Sequence, residues 1–162
     1  MRKLLTLVII LTTLTLKAQT VGYTYKPLAA EGCSMKYCIS KQDTTYYIIA
    51  TVSSDRLKFL KESTMMVRTF KGEVFKLEGA LIDNDLQSIG IMSGNLMIPI
   101  SAITSTAQFK ITPAQLESLK NGVAKIRLST IPIEHERNFK KDKIGGKLYE
   151  LFIKEKVKDD TF

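Results

Sequence analysis

The sequence has a single histidine, His135, and this scarcity limits the chemistry open to the chain. Zinc hydrolases generally use two or three histidines, and the HExxH pattern is absent because Arg-Asn-Phe follows His135-Glu136. A serine triad would need this same histidine, and no G-x-S-x-G sequence accompanies it. A Cys–His pair would require a free cysteine. We therefore interpret His135 as a solvated residue in a polar loop.

Cysteine is almost as rare, since the chain has only Cys33 and Cys38, in the segment CSMKYC. A thioredoxin-like centre needs two residues between its cysteines and a structural zinc site needs about four ligands, so neither is favoured. In a straight strand the two positions would lie about 16 Å apart and could not be joined, but a turn would let them bridge. We predict a disulfide, with free buried thiols as the alternative.

Sequences that bind phosphate or calcium are also missing. No P-loop or dinucleotide-binding glycine pattern occurs. Asp83-Asn84-Asp85 begins like a calcium loop, but Gln87 stands where a ligand is needed and the following glycine is absent. This triplet predicts a polar turn, and the sequence assigns no catalytic residue, metal or cofactor.

The one long apolar run lies at the N-terminus, where Arg2 and Lys3 precede Leu4–Leu16. This run has about 13 residues, whereas a helix that spans a bilayer needs about 20. With small Ala18 at the expected cleavage point, residues 1–18 have the layout of a signal peptide. We predict export to the periplasm or the cell exterior and a mature chain that does not span the membrane. Removing residues 1–18 lowers the formal net charge from +8 to +5.

The mature chain has the length of one domain and no Pro-rich or Gly-rich linker. We divide it into an N-terminal segment with the disulfide (19–43), a single domain (44–157) and a tail (158–162). Alternating apolar and polar residues predict the strands. Residues 44–52 are apolar on both faces of the strand, which predicts a central position in the sheet. The predicted elements are the central strand 44–52, the hairpin 64–70 and 73–82, a polar loop 83–88, a short strand 89–92, a turn 93–95 and a long strand 96–111.

The clearest local signal is ITPAQLESLKNG, residues 111–122. Thr112 can cap a helix, Pro113 suits its first position, Gln115 can complete a capping box, and Gly122 can end it. A strand over 123–131, a charged loop over 134–143 and an amphipathic helix over 144–157 follow. The order of elements predicts an α+β fold with a mainly antiparallel β-sheet, one short inserted helix and a C-terminal amphipathic helix.

The sequence ITPAQLESLKNGVAKIRL resembles small exported proteins of unknown function of the Bacteroidetes type. In these proteins a helix of the pattern T-x-x-Q-L-x-x-L-x-x-G leads directly into a strand of the type K-I-R. The resemblance covers residues 44–157 and excludes the segment with the two cysteines. It implies a fold and an exported setting, and it supplies no catalytic residues.

Basic residues are concentrated near the C-terminal helix, which suggests a surface for anions. An aromatic ladder of the kind that binds single-stranded nucleic acid is absent, so we expect no nucleic acid ligand. The partner would instead be an envelope protein or an anionic polysaccharide. The predicted anion-binding residues are Arg137, Lys140, Lys141, Lys143 and Lys147.

These features predict a soluble, non-enzymatic domain that binds a partner or acts as a structural accessory of the cell envelope. A carrier for a small apolar ligand is one alternative, because methionines and tyrosines could line a cavity. A compact hydrolase with a site assembled from dispersed residues is the other, since paired carboxylates meet only in three dimensions.

Overall fold

A computed structural model describes residues 19–25 and 33–159 of the chain. The predicted signal peptide (1–18) lies outside the described residues, as do residues 160–162 of the predicted tail. The described part is an α+β domain made mostly of antiparallel strands, with a short helix and a C-terminal helix. The predicted fold class is confirmed.

Eight strands form one antiparallel sheet in the order β1-β2-β3-β7-β6-β5-β8-β10, and β4 pairs with β9 in a small second sheet. Residues 19–43 supply β1 and β2 to the same sheet as the rest of the domain. The strands are β1 (Val21–Tyr25), β2 (Cys33–Gln42), β3 (Thr45–Ser54), β4 (Lys58–Phe59), β5 (Glu62–Thr69), β6 (Val74–Ser93), β7 (Leu96–Ile111), β8 (Val123–Leu128), β9 (Thr130–Ile131) and β10 (His135–Asn138).

The predicted hairpin is present as β5 and β6. The turn between them needs a residue with positive φ, and Gly72 supplies it at 88°. The predicted central strand is β3, which lies between β2 and β7. Its even-numbered residues face the core, as its burial pattern shows.

The predicted polar loop over 83–88 is wrong, because these residues continue β6. The triplet Asp83-Asn84-Asp85 pairs in register with Thr106, Ser105 and Thr104 of β7, so it does not form the predicted turn. Polar side chains are tolerated there since this part of the strand is exposed. The predicted turn follows at Gly94, whose φ is 63°.

The β6–β7 hairpin extends beyond its neighbours. Strand β5 pairs with β6 only as far as Ala80, and β3 pairs with β7 only from Ile103 onward. A β-bulge between Leu81 and Asp83 lies where the β6–β7 hairpin begins to extend beyond β5 and β3. We call residues 82–102 the projecting ribbon, because they form two paired strands that no third described strand joins.

Helix α1 (Pro113–Ser118) begins with the predicted capping box. The Thr112 hydroxyl accepts from the Gln115 backbone N–H, and the Gln115 side chain accepts from the Thr112 backbone N–H at 3.0 Å. A 3₁₀ turn (Leu119–Asn121) continues it, and Gly122 ends it with a φ of 73°. Leu116 and Leu119 are fully buried, so this short segment anchors the start of β8.

Helix α2 (Gly145–Asp159) is the predicted C-terminal helix, and it closes the core. Ile144, Leu148 and Phe152 are buried, and the Phe152 ring meets that of Tyr46 edge-on with 5.2 Å between centroids. The Asp142 side chain accepts hydrogen bonds from the backbone N–H groups at the start of the helix. Burial alone would raise the pKa of the Asp142 carboxyl, but these N–H donors and that of Val123 hold it below its usual value.

The sheet is curled so that its two edge strands meet through side chains. Tyr23 on β1 and His135 on β10 are at opposite ends of the strand order, yet the Tyr23 hydroxyl and His135 Nε2 are 2.9 Å apart. Phe139 packs edge-on against Tyr23, with 5.2 Å between ring centroids. The predicted charged loop over 134–143 is therefore wrong in part, because residues 135–138 form β10.

Candidate anion-binding groove

The outer face of β6, β5, β8 and β10 carries a grid of basic side chains. Inward-facing positions on these strands are apolar, so strict alternation sends the intervening polar residues outward. The register then fixes which of these residues are neighbours across the strands. Two adjacent rows result: Lys76–Met66–Arg127–Glu136 and Val74–Arg68–Lys125–Asn138.

A shallow groove of about 170 Å³ runs between these rows. Its cationic side chains are Arg68, Lys125 and Arg127, and its apolar surface comes from Met66 and Val74. Both apolar side chains are solvent-exposed, Val74 to 59%. The full lining is Met66, Val67, Arg68, Val74, Lys125 and Arg127. A site of this kind suits a ligand that combines negative charge with an apolar surface.

Two carboxylates partly balance the groove. Glu134 lies 3.9 Å from Arg127 Nε, and Glu136 is bound more closely. Glu136 accepts from Lys125 Nζ at 2.7 Å and from Arg127 Nη2 at 2.6 Å. The hydrogen bond from Lys125, followed by those from Arg127, lowers the pKa of Glu136, and the bond to Glu136 raises the pKa of Arg127. Glu136 therefore stays ionised and fixes the two cations beside the groove.

Arg68 lies between Val74 and Lys125 across the strands, and no carboxylate in the described part of the chain balances its charge. Among residues 33–159, no carboxylate lies within ion-pairing distance of its guanidinium. Lys76 is exposed on the neighbouring strand and is likewise unpaired within that part of the chain. Four cations and the two carboxylates Glu134 and Glu136 leave a net charge of about +2 here, and Arg68 and Lys76 make no ion pair within residues 33–159.

The structure separates the predicted anion-binding residues into different places. Arg137 lies opposite buried Ile126, on the inner face of β10, so it does not join the groove. Lys140, Lys141 and Lys143 are exposed in the segment that leads from β10 to α2, and Lys147 is exposed on α2. That segment starts beside the groove, because Asn138 at the end of β10 pairs with Lys125.

The predicted disulfide is wrong. Both cysteines belong to β2, an extended strand without the turn that a bridge requires, and both are free. Successive residues of a strand face opposite sides of the sheet, and the two cysteines are an odd number of residues apart. Buried Cys33 therefore lies on the inner face and half-buried Cys38 on the outer one. Burial raises the pKa of both thiols, so they are poor nucleophiles. The alternative of free buried thiols applies.

The interpretation of His135 as a solvated loop residue is also wrong, because it is only 1% exposed and belongs to β10. The Tyr23 hydroxyl lies 2.9 Å from both His135 Nε2 and the buried Tyr37 hydroxyl. Burial, and then the nearby charge of Arg137, lowers the pKa of His135 to about 4. Burial likewise raises the pKa of Tyr37 well above its usual value. This network joins the two edge strands of the sheet through buried His135 and Tyr37 and half-buried Tyr23.

Two further observations concern metals and membranes. Within residues 19–25 and 33–159, no group of three or more histidine, cysteine or acidic side chains is placed to hold a metal ion. In the same described ranges, no helix has the length and apolar composition needed to cross a bilayer.

Comparison with protein-family models, curated proteins and solved structures finds no match to this chain.

Proposed function

We propose that this protein is an exported, non-enzymatic binding module of the cell envelope and that its ligand is an anionic polysaccharide. The signal-peptide pattern of residues 1–18 and the resemblance to small exported proteins support the envelope setting. The choice of an anionic ligand rests on one observation. The outer face of the sheet holds four cations around an exposed methionine, and two of them, Arg68 and Lys76, have no carboxylate partner within residues 33–159.

The mixture of charge and apolar surface favours a sugar polymer. Neighbouring strands are about 5 Å apart and alternate residues about 7 Å apart, so the cations form a regular grid along the groove. A polymer with repeated carboxylate or sulfate groups can meet several of these cations at once. Met66 and Val74 lie between them and can contact the apolar faces of sugar rings. No aromatic side chain lines the groove, which disfavours single-stranded nucleic acid.

The loop lysines extend this surface. Lys140, Lys141 and Lys143 follow β10, whose last residue pairs with Lys125 in the groove. A polymer longer than the groove would reach this segment, while a short oligosaccharide would need the groove alone. The two sets of cations can therefore be tested separately.

The test is retention of the mature chain on immobilised heparin in a sodium chloride gradient. We expect Arg68→Gln with Lys76→Gln to weaken binding about tenfold at low salt, because two exposed charge contacts of up to about 1 kcal/mol each are lost. These side chains make no ion pair in residues 33–159, so the fold should be unaffected. A matched control with the same loss of charge is Lys120→Gln with Lys156→Gln, both exposed and outside the sheet.

Elution of the control with the wild type, and of the groove variant at clearly lower salt, would support the proposal. Equal weakening by both double variants would mean that only net charge matters, and it would contradict a specific groove. Substituting Lys140, Lys141 and Lys143 with Glu is a further arm. If only that variant lost retention, the loop and not the groove would be the site.

A further inference from the structure

The sequence before β1 has a single position suited to cleavage of a signal peptide. Ala18 is the only alanine, glycine or serine among residues 1–20, and small residues of this kind precede the cleaved bond. Cleavage further along would cut into β1, which pairs with β2 and contacts His135 through Tyr23. On the proposed export route, the mature chain therefore begins with Gln19.

Gln19 is exposed, and its side chain is held against the C-terminal helix. Its carbonyl oxygen, Oε1, accepts a hydrogen bond from Lys154 Nζ at 2.8 Å, across 135 positions of the sequence. Thr20 alone separates Gln19 from β1, and both residues are exposed and precede the strand. Cleavage after Ala18 therefore places the new N-terminus at the surface, beside the lysine ammonium.

An N-terminal glutamine carries two groups that can react with each other. Its free α-amine is a nucleophile within reach of the side-chain amide of the same residue, and attack on Cδ closes a five-membered lactam ring. The bond between the α-nitrogen and Cδ forms, and the bond between Cδ and Nε2 breaks. A proton passes from the amine to the departing nitrogen, which leaves as ammonia, so no oxidant, reductant or second substrate is consumed.

We propose that Gln19 becomes the first residue of the mature chain and is converted to pyroglutamate, with Lys154 promoting the ring closure. The modification rests on the export proposed above, because cleavage after Ala18 frees the α-amine. Negative charge develops on Oε1 as the amine attacks Cδ, and the Lys154 ammonium already donates to this oxygen. Oε1 remains as the carbonyl oxygen of the lactam, so it can still accept from Lys154 after the reaction.

The lactam changes the mature chain in two ways. It removes the positive charge of the N-terminal amine beside Lys154, as other modifications of chain termini do. It also blocks aminopeptidases, which need a free α-amine. Because β1 is an edge strand close to the new N-terminus, stepwise trimming would soon reach Tyr23 and its contact with His135. Pyroglutamate would protect this contact.

The first test is the mass and N-terminal sequence of the protein recovered from the envelope fraction of bacteria that express the whole chain. We expect the mass of residues 19–162 less one ammonia, and an N-terminus that chemical sequencing cannot read. Gln19→Ser cannot form the ring, so it should be cleaved at the same bond and give a readable serine. A readable Gln19 at full mass would overturn the modification and leave export standing. A chain that keeps residues 1–18 would contradict export, and the second test then decides.

The second test does not depend on export. A fusion protein is cleaved in vitro directly before Gln19, and loss of ammonia is followed by mass spectrometry at about pH 8, where roughly half of the α-amines are neutral. We expect Lys154→Gln to slow the reaction about fivefold, because one exposed charge contact is lost. The matched control, Lys156→Gln on the same helix, should react like the wild type. No loss of ammonia from the wild type would overturn the modification, and equal rates for the wild type and Lys154→Gln would overturn the role of Lys154.

Discussion

Lowering the pH from 7 to 4.5 is expected to reduce the free energy of unfolding by about 2.5 kcal/mol through His135 alone. Burial lowers the pKa of this histidine from 6.5 to about 4 in the folded protein. The unfolded chain therefore takes up a proton near pH 6.5 while the folded chain stays neutral down to about pH 4. The contribution of neutral His135 to the free energy of unfolding is complete above pH 6.5. It falls between pH 6.5 and 4 by about 1.4 kcal/mol for each pH unit.

The measurement is urea denaturation at half-unit steps between pH 4.5 and 7.5, for the wild type and for His135→Gln. Glutamine can still hydrogen-bond to the Tyr23 hydroxyl but does not titrate, so its curve should be flat over this window. Asp142 and Glu136 have lowered pKa values, so the stability they contribute is lost only as the pH falls below about 4.5. Parallel curves for the two proteins would show that His135 is not buried as described.

Replacing Phe109 with Ala should cost about 3–5 kcal/mol of stability, the range for a fully buried phenylalanine. Phe109 on β7 is completely buried and meets Phe59 edge-on, with 5.9 Å between ring centroids. It also lies against Gly79, where a Cβ atom would collide with the Phe109 ring. This ring fills the space between the main sheet and the β4–β9 pair, and the cavity left by alanine cannot close easily.

The matched control is Phe70→Ala, which removes the same side chain from a position that is 45% exposed. We expect it to cost about 1 kcal/mol or less, because much of the ring is already in water. Chemical denaturation of the three proteins at pH 7 gives both differences. Similar losses for the two variants would contradict the packing described for β7.

The sequence predicts best those elements whose signals are local. The capping box at Thr112 and Gln115 involves residues three apart, and it forms as the spacing indicates. The sequence predicts a long strand over residues 96–111, and these are the bounds of β7. Apolar alternation and nearby turns determine such elements, so neighbouring residues alone contain the information.

The elements that were missed depend on pairing between distant residues. Strand β10 is short and highly charged, and it is held by β8 and by the contact of His135 with Tyr23, 112 positions away. The cysteine prediction failed because CSMKYC pairs with β3 and does not turn. The neighbouring residues alone do not distinguish β10 from a charged loop, or the segment CSMKYC of β2 from a turn closed by a disulfide.

The sequence predicts only part of the groove, because the groove also depends on pairing between distant strands. Alternation along the predicted strand 123–131 sends Lys125 and Arg127 outward, but the predicted anion-binding residues all lie later in the chain. Alternation also sends Arg68 and Lys76 outward. Only the register of β5 against β6 and β8 shows that these two cations surround Met66 beside Arg127.

The most direct test of the proposed polysaccharide site is to map backbone amide shifts by nuclear magnetic resonance while adding a short heparin oligosaccharide. The groove predicts the largest changes at residues 66–68, 74–76 and 125–127, which three separate strands bring together. It also predicts that Arg68→Gln with Lys76→Gln abolishes most of them. Changes confined to residues 140–147, or spread evenly over all exposed lysines, would contradict a binding site on the face of the sheet.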